Sequence, residues 1–109
     1  MTETIEQKKI TDFEDKSLLI VDDDTPFRER LARAMEKKGF LVTQAEGVKK
    51  GIDSVKVKKP AFAVVDLRLG DGNGLEVVKE IQNSNIQSRI IMLKICFSYT
   101  FSTFNSMHV

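Results

Sequence analysis

Three consecutive aspartates, Asp22-Asp23-Asp24, end the apolar run Leu18-Leu19-Ile20-Val21, and a second apolar run, Phe62-Ala63-Val64-Val65, ends in Asp66. If the two runs are neighbouring parallel strands, their carboxylates meet at one edge of a sheet, where the oxygens suit a hard cation. A cation held that way neutralises a phosphoryl group while one carboxylate attacks it. An acidic triplet after a strand reads equally well as a solvated turn that caps a helix, and Asp24 fits that role. Asp66, at the end of a separate buried-strand pattern, is what turns Asp22 and Asp23 into candidate cation ligands.

The elements that must position these groups follow from hydrophobic patterning. Leu18 to Val21 has the continuous apolar character of a parallel strand covered on both faces. Thr25-Pro26 offers an N-cap candidate followed by proline at the first helical position, and Phe27, Leu31, Ala34 and Met35 mark one side of a helix that ends at Gly39. Leu41-Val42-Thr43 predicts a short second strand. Val48, Ile52 and Val55 predict a second helix that carries Gly51 in its interior, closed by Pro60. Phe62 to Asp66 is the third strand. Gly70, Gly72 and Gly74 follow it in a stretch that lacks the glycine-rich phosphate fingerprint with its lysine, and it reads as a flexible active-site loop. Leu75, Val78 and Ile81 predict a third helix and Ile90-Ile91-Met92-Leu93 a fourth strand.

Strict alternation predicts an α/β domain around a parallel sheet in the order 2-1-3-4, with the first helix on one face and the other two on the opposite face. The chain reverses its direction of travel between strands 1 and 3. Open α/β sheets bind ligands at the carboxyl ends of strands at such a point, which is where Asp22, Asp23 and Asp66 fall.

The chain has 109 residues, 41% hydrophobic and 30% charged, enough for one small domain. Seventeen basic against sixteen acidic side chains give a net charge of +1, which supplies no general field for nucleic acid or an anionic membrane. Residues 1–16 form a polar leader, expected to be disordered, with neither the pattern of a signal peptide nor that of an anchor. No apolar stretch reaches membrane-spanning length, so the expected location is cytoplasmic. The single Cys96 excludes an internal disulfide and reads as a small apolar residue. Lys8-Lys9 and Lys58-Lys59 read as solvated charge.

Composition changes at Lys94: every Lys, Arg, Asp and Glu lies at or before it, whereas Phe97, Tyr99, Phe101 and Phe104 crowd the segment that follows. Residues 95–109 are read as an atypical aromatic tail, of the kind a frameshift produces, in which an edge strand is conceivable. His108 lies in this tail and is not read as catalytic.

Leu19-Ile20-Val21-Asp22-Asp23-Asp24, Ala63-Val64-Val65-Asp66-Leu67-Arg68-Leu69 and Asp71-Gly72-Asn73-Gly74-Leu75-Glu76 resemble the receiver domain of two-component response regulators. The likeness runs from about Ser17 to Leu93. In detail, Arg30-Leu31-Ala32-Arg33-Ala34-Met35-Glu36-Lys37-Lys38-Gly39-Phe40 looks like the redox-responding RegA, PrrA and ActR group. The resemblance implies a doubly wound, flavodoxin-like fold, with residues 17–94 a receiver truncated before its fifth strand and its fourth and fifth helices. It makes Asp66 the phosphoacceptor, Asp23 and Asp66 direct Mg2+ ligands, Asp22 a ligand through water, and the Arg68 backbone carbonyl a further donor. The implied partner is a sensor histidine kinase; DNA binding would belong to a following domain that this chain has no room for.

Two departures accompany the likeness. Lys94 stands where the family places a Thr or Ser that binds the phosphoryl group, and the strand-5 lysine has no counterpart. Loss of the last helix would leave Leu18, Ile20, Val64 or their neighbours in an exposed apolar patch suited to self-association. The alternatives are a receiver remnant that no longer signals and serves at most as an interaction module, or an aspartate-nucleophile phosphatase, whose Asp-x-Asp motif expects Thr or Val where Pro26 stands. The reading is of a signalling acceptor and not of an enzyme.

Overall fold

The first strand, β1 (Ser17–Val21), is buried at all five residues, as a continuous apolar run must be when both faces of its sheet are covered. The computed structural model describes residues 14–84, 87–95 and 99–103, and the backbone alone from Lys94 onward. Helix α1 (Thr25–Lys37) follows, then β2 (Leu41–Ala45), α2 (Val48–Val57), β3 (Phe62–Asp66), the two-residue strands β4 (Arg68–Leu69) and β5 (Gly72–Asn73), α3 (Leu75–Ser84), β6 (Arg89–Ile95) and β7 (Tyr99–Thr103).

The cap of α1 is Asp24, whose Oδ1 accepts the Phe27 N–H at 3.1 Å, so Thr25 lies inside the helix with Pro26 in its first turn. The helix ends as the sequence predicts. Gly39 has φ of 105°, its N–H donates to Glu36 O and that of Phe40 to Met35 O, which together satisfy carbonyls a helix end leaves open. The buried side of α1 carries Arg28 and Ala32, while Ala34, expected on the apolar face, is exposed. Leu31 and Met35 are half-buried.

The main sheet has the order β2-β1-β3-β6-β7. Its first four strands are parallel, as expected, and β7 is added antiparallel to β6, with Leu93 opposite Phe101. The tail segment 99–103 thus supplies the edge strand that its composition left open, without the helix a parallel crossover would need. Ile95, the first residue of the expected tail, ends β6; residues 96–98 and 104–109, and the leader up to residue 13, lie outside the described residues.

The two faces of the sheet carry separate apolar layers. Leu19, Val21, Ala63, Val65, Ile90 and Met92 pack with Val48 and Val55 of α2 and Val77, Val78 and Ile81 of α3. Leu18 and Ile20 pack with Ala32 of α1, flanked by Met35, Phe40, Phe62 and Val64. The distribution of helices over the faces is the predicted one. Gly51 has a packing reason: a Cβ there would lie 3.1 Å from Val77 Cγ2 and 3.3 Å from Val21 Cγ2, so its absence lets α2 sit close to β1 and α3. That contact offsets the roughly 1 kcal/mol cost of a glycine inside a helix. Leu18 and Ile20 are buried beside Ala32 of α1, Phe40 and Phe62, so the exposure expected on this face falls on their neighbour Ile91 of β6.

Candidate phosphoacceptor and metal site

The register of β1 and β3 places Val21 beside Val65, so the next residue of each strand, Asp22 and Asp66, emerges at the same carboxyl end. Asp22, Asp23 and Asp66 each offer a carboxylate oxygen, all within 4.8 Å of one another. Asp22 and Asp66 are buried, whereas Asp23 is exposed and forms the outer lip of the cluster. The carboxylates that the sequence nominated are brought together.

Local hydrogen bonds orient them. The Asp24 N–H donates to Asp22 Oδ1 at 2.8 Å, and the Arg68 N–H donates to Asp66 Oδ1 at 3.0 Å. Burial raises the Asp66 carboxyl to a pKa of about 6, against the opposing Arg68 N–H, and the charges of Asp22 and Asp23 add to the rise. Asp22 is also raised, chiefly by burial, with the Asp24 N–H opposing and its acidic neighbours reinforcing the shift. Among the described residues none of the ion pairs involves these three carboxyls. Three close carboxyls with hard oxygen donors, of which Asp22 and Asp66 have raised pKa values, fit a divalent cation, whose charge would offset their mutual repulsion.

Arg68 lies two residues after the acceptor, at the start of β4, and its side chain is exposed. The glycine-containing segment is not a loose loop. Arg68 pairs with Asn73 and Leu69 with Gly72 in an antiparallel ladder, Gly74 N–H donates to Leu67 O at 2.9 Å, and Asn73 Oδ1 accepts the Leu75 N–H at 2.8 Å to start α3. Gly74 is required by proximity: a Cβ there would collide with the backbone carbonyl of Asp66.

Two residues near the site escaped the sequence reading. Arg28, on α1, is buried, donating Nη1–H to the Asp22 carbonyl at 2.8 Å and Nε–H to Gln44 Oε1 at 2.9 Å. Asp71 reaches across to α2, where its Oδ1 accepts the Val48 N–H at 2.7 Å and its Oδ2 the Lys49 N–H at 3.1 Å. Neither pattern has a local signature, since each side chain serves a backbone distant in the chain.

Comparison with known proteins bears on the same residues. A family model described as the response regulator receiver domain matches residues 18–96. The acid tolerance regulatory protein ActR of Sinorhizobium medicae is 57% identical over 79 residues, which are 72% of this chain and 41% of ActR; the chain thus spans less than half the length of that relative. ActR is one of the group named from the sequence. A response regulator from Burkholderia pseudomallei, whose structure contains a phosphorylated aspartic acid, a calcium ion and citrate, superposes with a TM-score of 0.69 at 32% identity, over 73% of this chain and 47% of that one. The response regulator TrrA from Thermotoga maritima, in complex with Mg2+ and BeF, gives a TM-score of 0.68 at 26% identity, over 75% of this chain and 71% of that one.

Proposed function

Because the chain belongs to the response regulator receiver family, we propose that Asp66 accepts a phosphoryl group from the histidine of a sensor kinase, with Mg2+ held by Asp22, Asp23, Asp66 and the Arg68 backbone carbonyl. The observation that carries this reading is the convergence of three carboxylate oxygens within 4.8 Å at the carboxyl ends of β1 and β3. Bound Mg2+ would supply positive charge to the oxygens of the transferring group.

The protein's own groups do the positioning. Arg68 N–H fixes Asp66 Oδ1, which orients the carboxyl for in-line attack. A new bond forms between an Asp66 oxygen and phosphorus as the bond from phosphorus to the histidine nitrogen breaks, its electron pair remaining on that nitrogen. Asp66 must be ionised to attack, and positive charge held by Asp22, Asp23 and the Arg68 carbonyl would favour the ionised form against the burial that raises its pKa. The phosphatase alternative loses its second carboxylate, because Asp24 is engaged in capping α1.

Residues 17–94 are proposed as the receiver unit, acting in the cytoplasm in a phosphorelay, with residues 1–16 a leader and 95–109 a tail outside the receiver pattern. Among the described residues no helix is long and apolar enough to cross a membrane. Ile91, exposed on β6, and half-buried Val64 offer a strip for self-association, and no DNA contact is proposed for residues 17–94. The deciding experiment exposes wild type and Asp66→Asn to Mg2+ with acetyl phosphate or beryllofluoride. Wild type is expected to gain one phosphoryl group or bind the analogue; identical behaviour of the two proteins would leave only the non-signalling remnant.

A further inference from the structure

The hairpin that follows Asp66 is fastened to α2 at its tip. Asp71 stands between β4 and β5, and its two carboxylate oxygens accept the N–H groups of Val48 and Lys49, two of the donors a helix start leaves unpaired. The residue before a helix commonly supplies that acceptor itself, yet here it is Gly47, which has no side chain to offer. Gly47 has extended backbone that any residue adopts, so conformation does not demand glycine. Space does: a Cβ at Gly47 would meet Asp71 Oδ1 at 2.7 Å, the place of a local cap being taken by a side chain from the hairpin.

At its other end the hairpin meets the acceptor. Arg68 N–H donates to Asp66 Oδ1, and Leu69, between the two fastenings, is buried in the layer under α2 and α3. A cap supplied from Gly47's position would serve α2 equally well as a helix and would leave the hairpin tip untied to α2. The longer connection therefore does something a local cap cannot.

We propose that Asp71 is a positioning residue for the cation site: by tying the hairpin tip to α2 it holds the Arg68 backbone, and through it the Asp66 carboxyl, in the arrangement that binds Mg2+. This presupposes the Mg2+ reading of the carboxylate cluster. Asp71 touches neither cation nor phosphoryl group; it acts through Arg68.

The test titrates Mg2+ alone into wild type, Asp71→Ala, Asp71→Asn and the double variant Gly47→Ser/Asp71→Ala, following binding calorimetrically and thermal unfolding in parallel. Asp71→Ala is expected to lose about tenfold in Mg2+ affinity, the scale of losing a group that orients a ligand, and to melt at lower temperature. The double variant returns a cap to α2, so its melting temperature should recover while its Mg2+ affinity does not. Should Asp71→Ala not fold, Asp71→Asn, which retains one acceptor oxygen, gives the same comparison at smaller amplitude. Equal Mg2+ affinity in wild type and the Asp71 variants, or recovery of both properties by the double variant, makes Asp71 a helix cap only. Absence of Mg2+ binding by wild type overturns the reading of the cluster and the role of Asp71 together.

Discussion

Arg28 holds the backbone of Asp22: its Nη1–H donates to the Asp22 carbonyl oxygen at 2.8 Å from a buried guanidinium on α1. The contact joins the helix after β1 to the first acidic residue of the site. Arg28→Met removes the donor and leaves a buried carbonyl unpaired, with an expected cost of about 2 kcal/mol. Arg28→Lys should recover part of this at most, because one ammonium cannot reproduce the fork that reaches both Asp22 and Gln44. Urea unfolding midpoints read the loss; an unchanged midpoint in Arg28→Met would remove the contact from any account of stability.

Two glycines of the hairpin should respond in opposite ways to alanine. At Gly74 the added methyl meets the Asp66 carbonyl, so the strand end must shift, at a cost on the order of 1–3 kcal/mol and with weakened Mg2+ binding. At Gly70 the nearest atom to a Cβ is Asp23 Oδ2 at 3.7 Å, an ordinary contact, and the variant should bind Mg2+ like wild type. Similar Mg2+ isotherms for the two variants would contradict the steric argument.

The acceptor's acidity sets a pH dependence. In the metal-free protein Asp66 titrates at about 6, above its ordinary 3.8, so the folded state holds the proton more tightly than the unfolded chain does. Its contribution to stability is therefore most favourable at low pH and is lost as pH rises through about 6. Mg2+ competes with that proton: apparent affinity should fall roughly tenfold per pH unit below about 6 and level off above it. Calorimetric titrations at pH 5, 6 and 7.5 would reveal the trend, and a flat profile would show that Asp66 is ionised throughout.

Asp24 and its neighbours should separate by role. Asp24→Ala deletes the acceptor for the Phe27 N–H and is expected to cost about 1 kcal/mol with little effect on Mg2+ affinity, whereas Asp24→Ser should retain most of the cap. Asp23→Ala should do the reverse, since its exposed carboxyl belongs to the cation cluster. A large drop in Mg2+ binding in Asp24→Ala would reassign it to the site.

What the sequence made legible was whatever is written locally. β1 and β3 are unbroken apolar runs whose burial leaves little choice of partner, and acidic residues at their ends follow the strands to the same edge. The Gly39 stop of α1 is equally local. Interactions between distant segments were not legible. Arg28 reads as a polar interruption of a helical stripe until Gln44 and the Asp22 carbonyl are beside it, which is why Ala34 was expected inward where Ala32 lies. The glycines after Asp66 suggested looseness because nothing local announces the ladder from Arg68 to Asn73 or the reach of Asp71 to α2. β7 is a further instance, its pairing with β6 decided by an edge left open for it.

The unequal layers on the two sides of the sheet give the molecule a direction in which it comes apart. α2 and α3 share an extensive apolar layer, while α1 rests on a much smaller one. Opening is expected to begin with α1 swinging away, so that its amides exchange with solvent sooner than those of α3. Such an excursion releases the backbone of Asp22 while leaving Asp66 in its strand, so the earliest casualty of heating would be the Asp22 side of the acidic cluster rather than the fold.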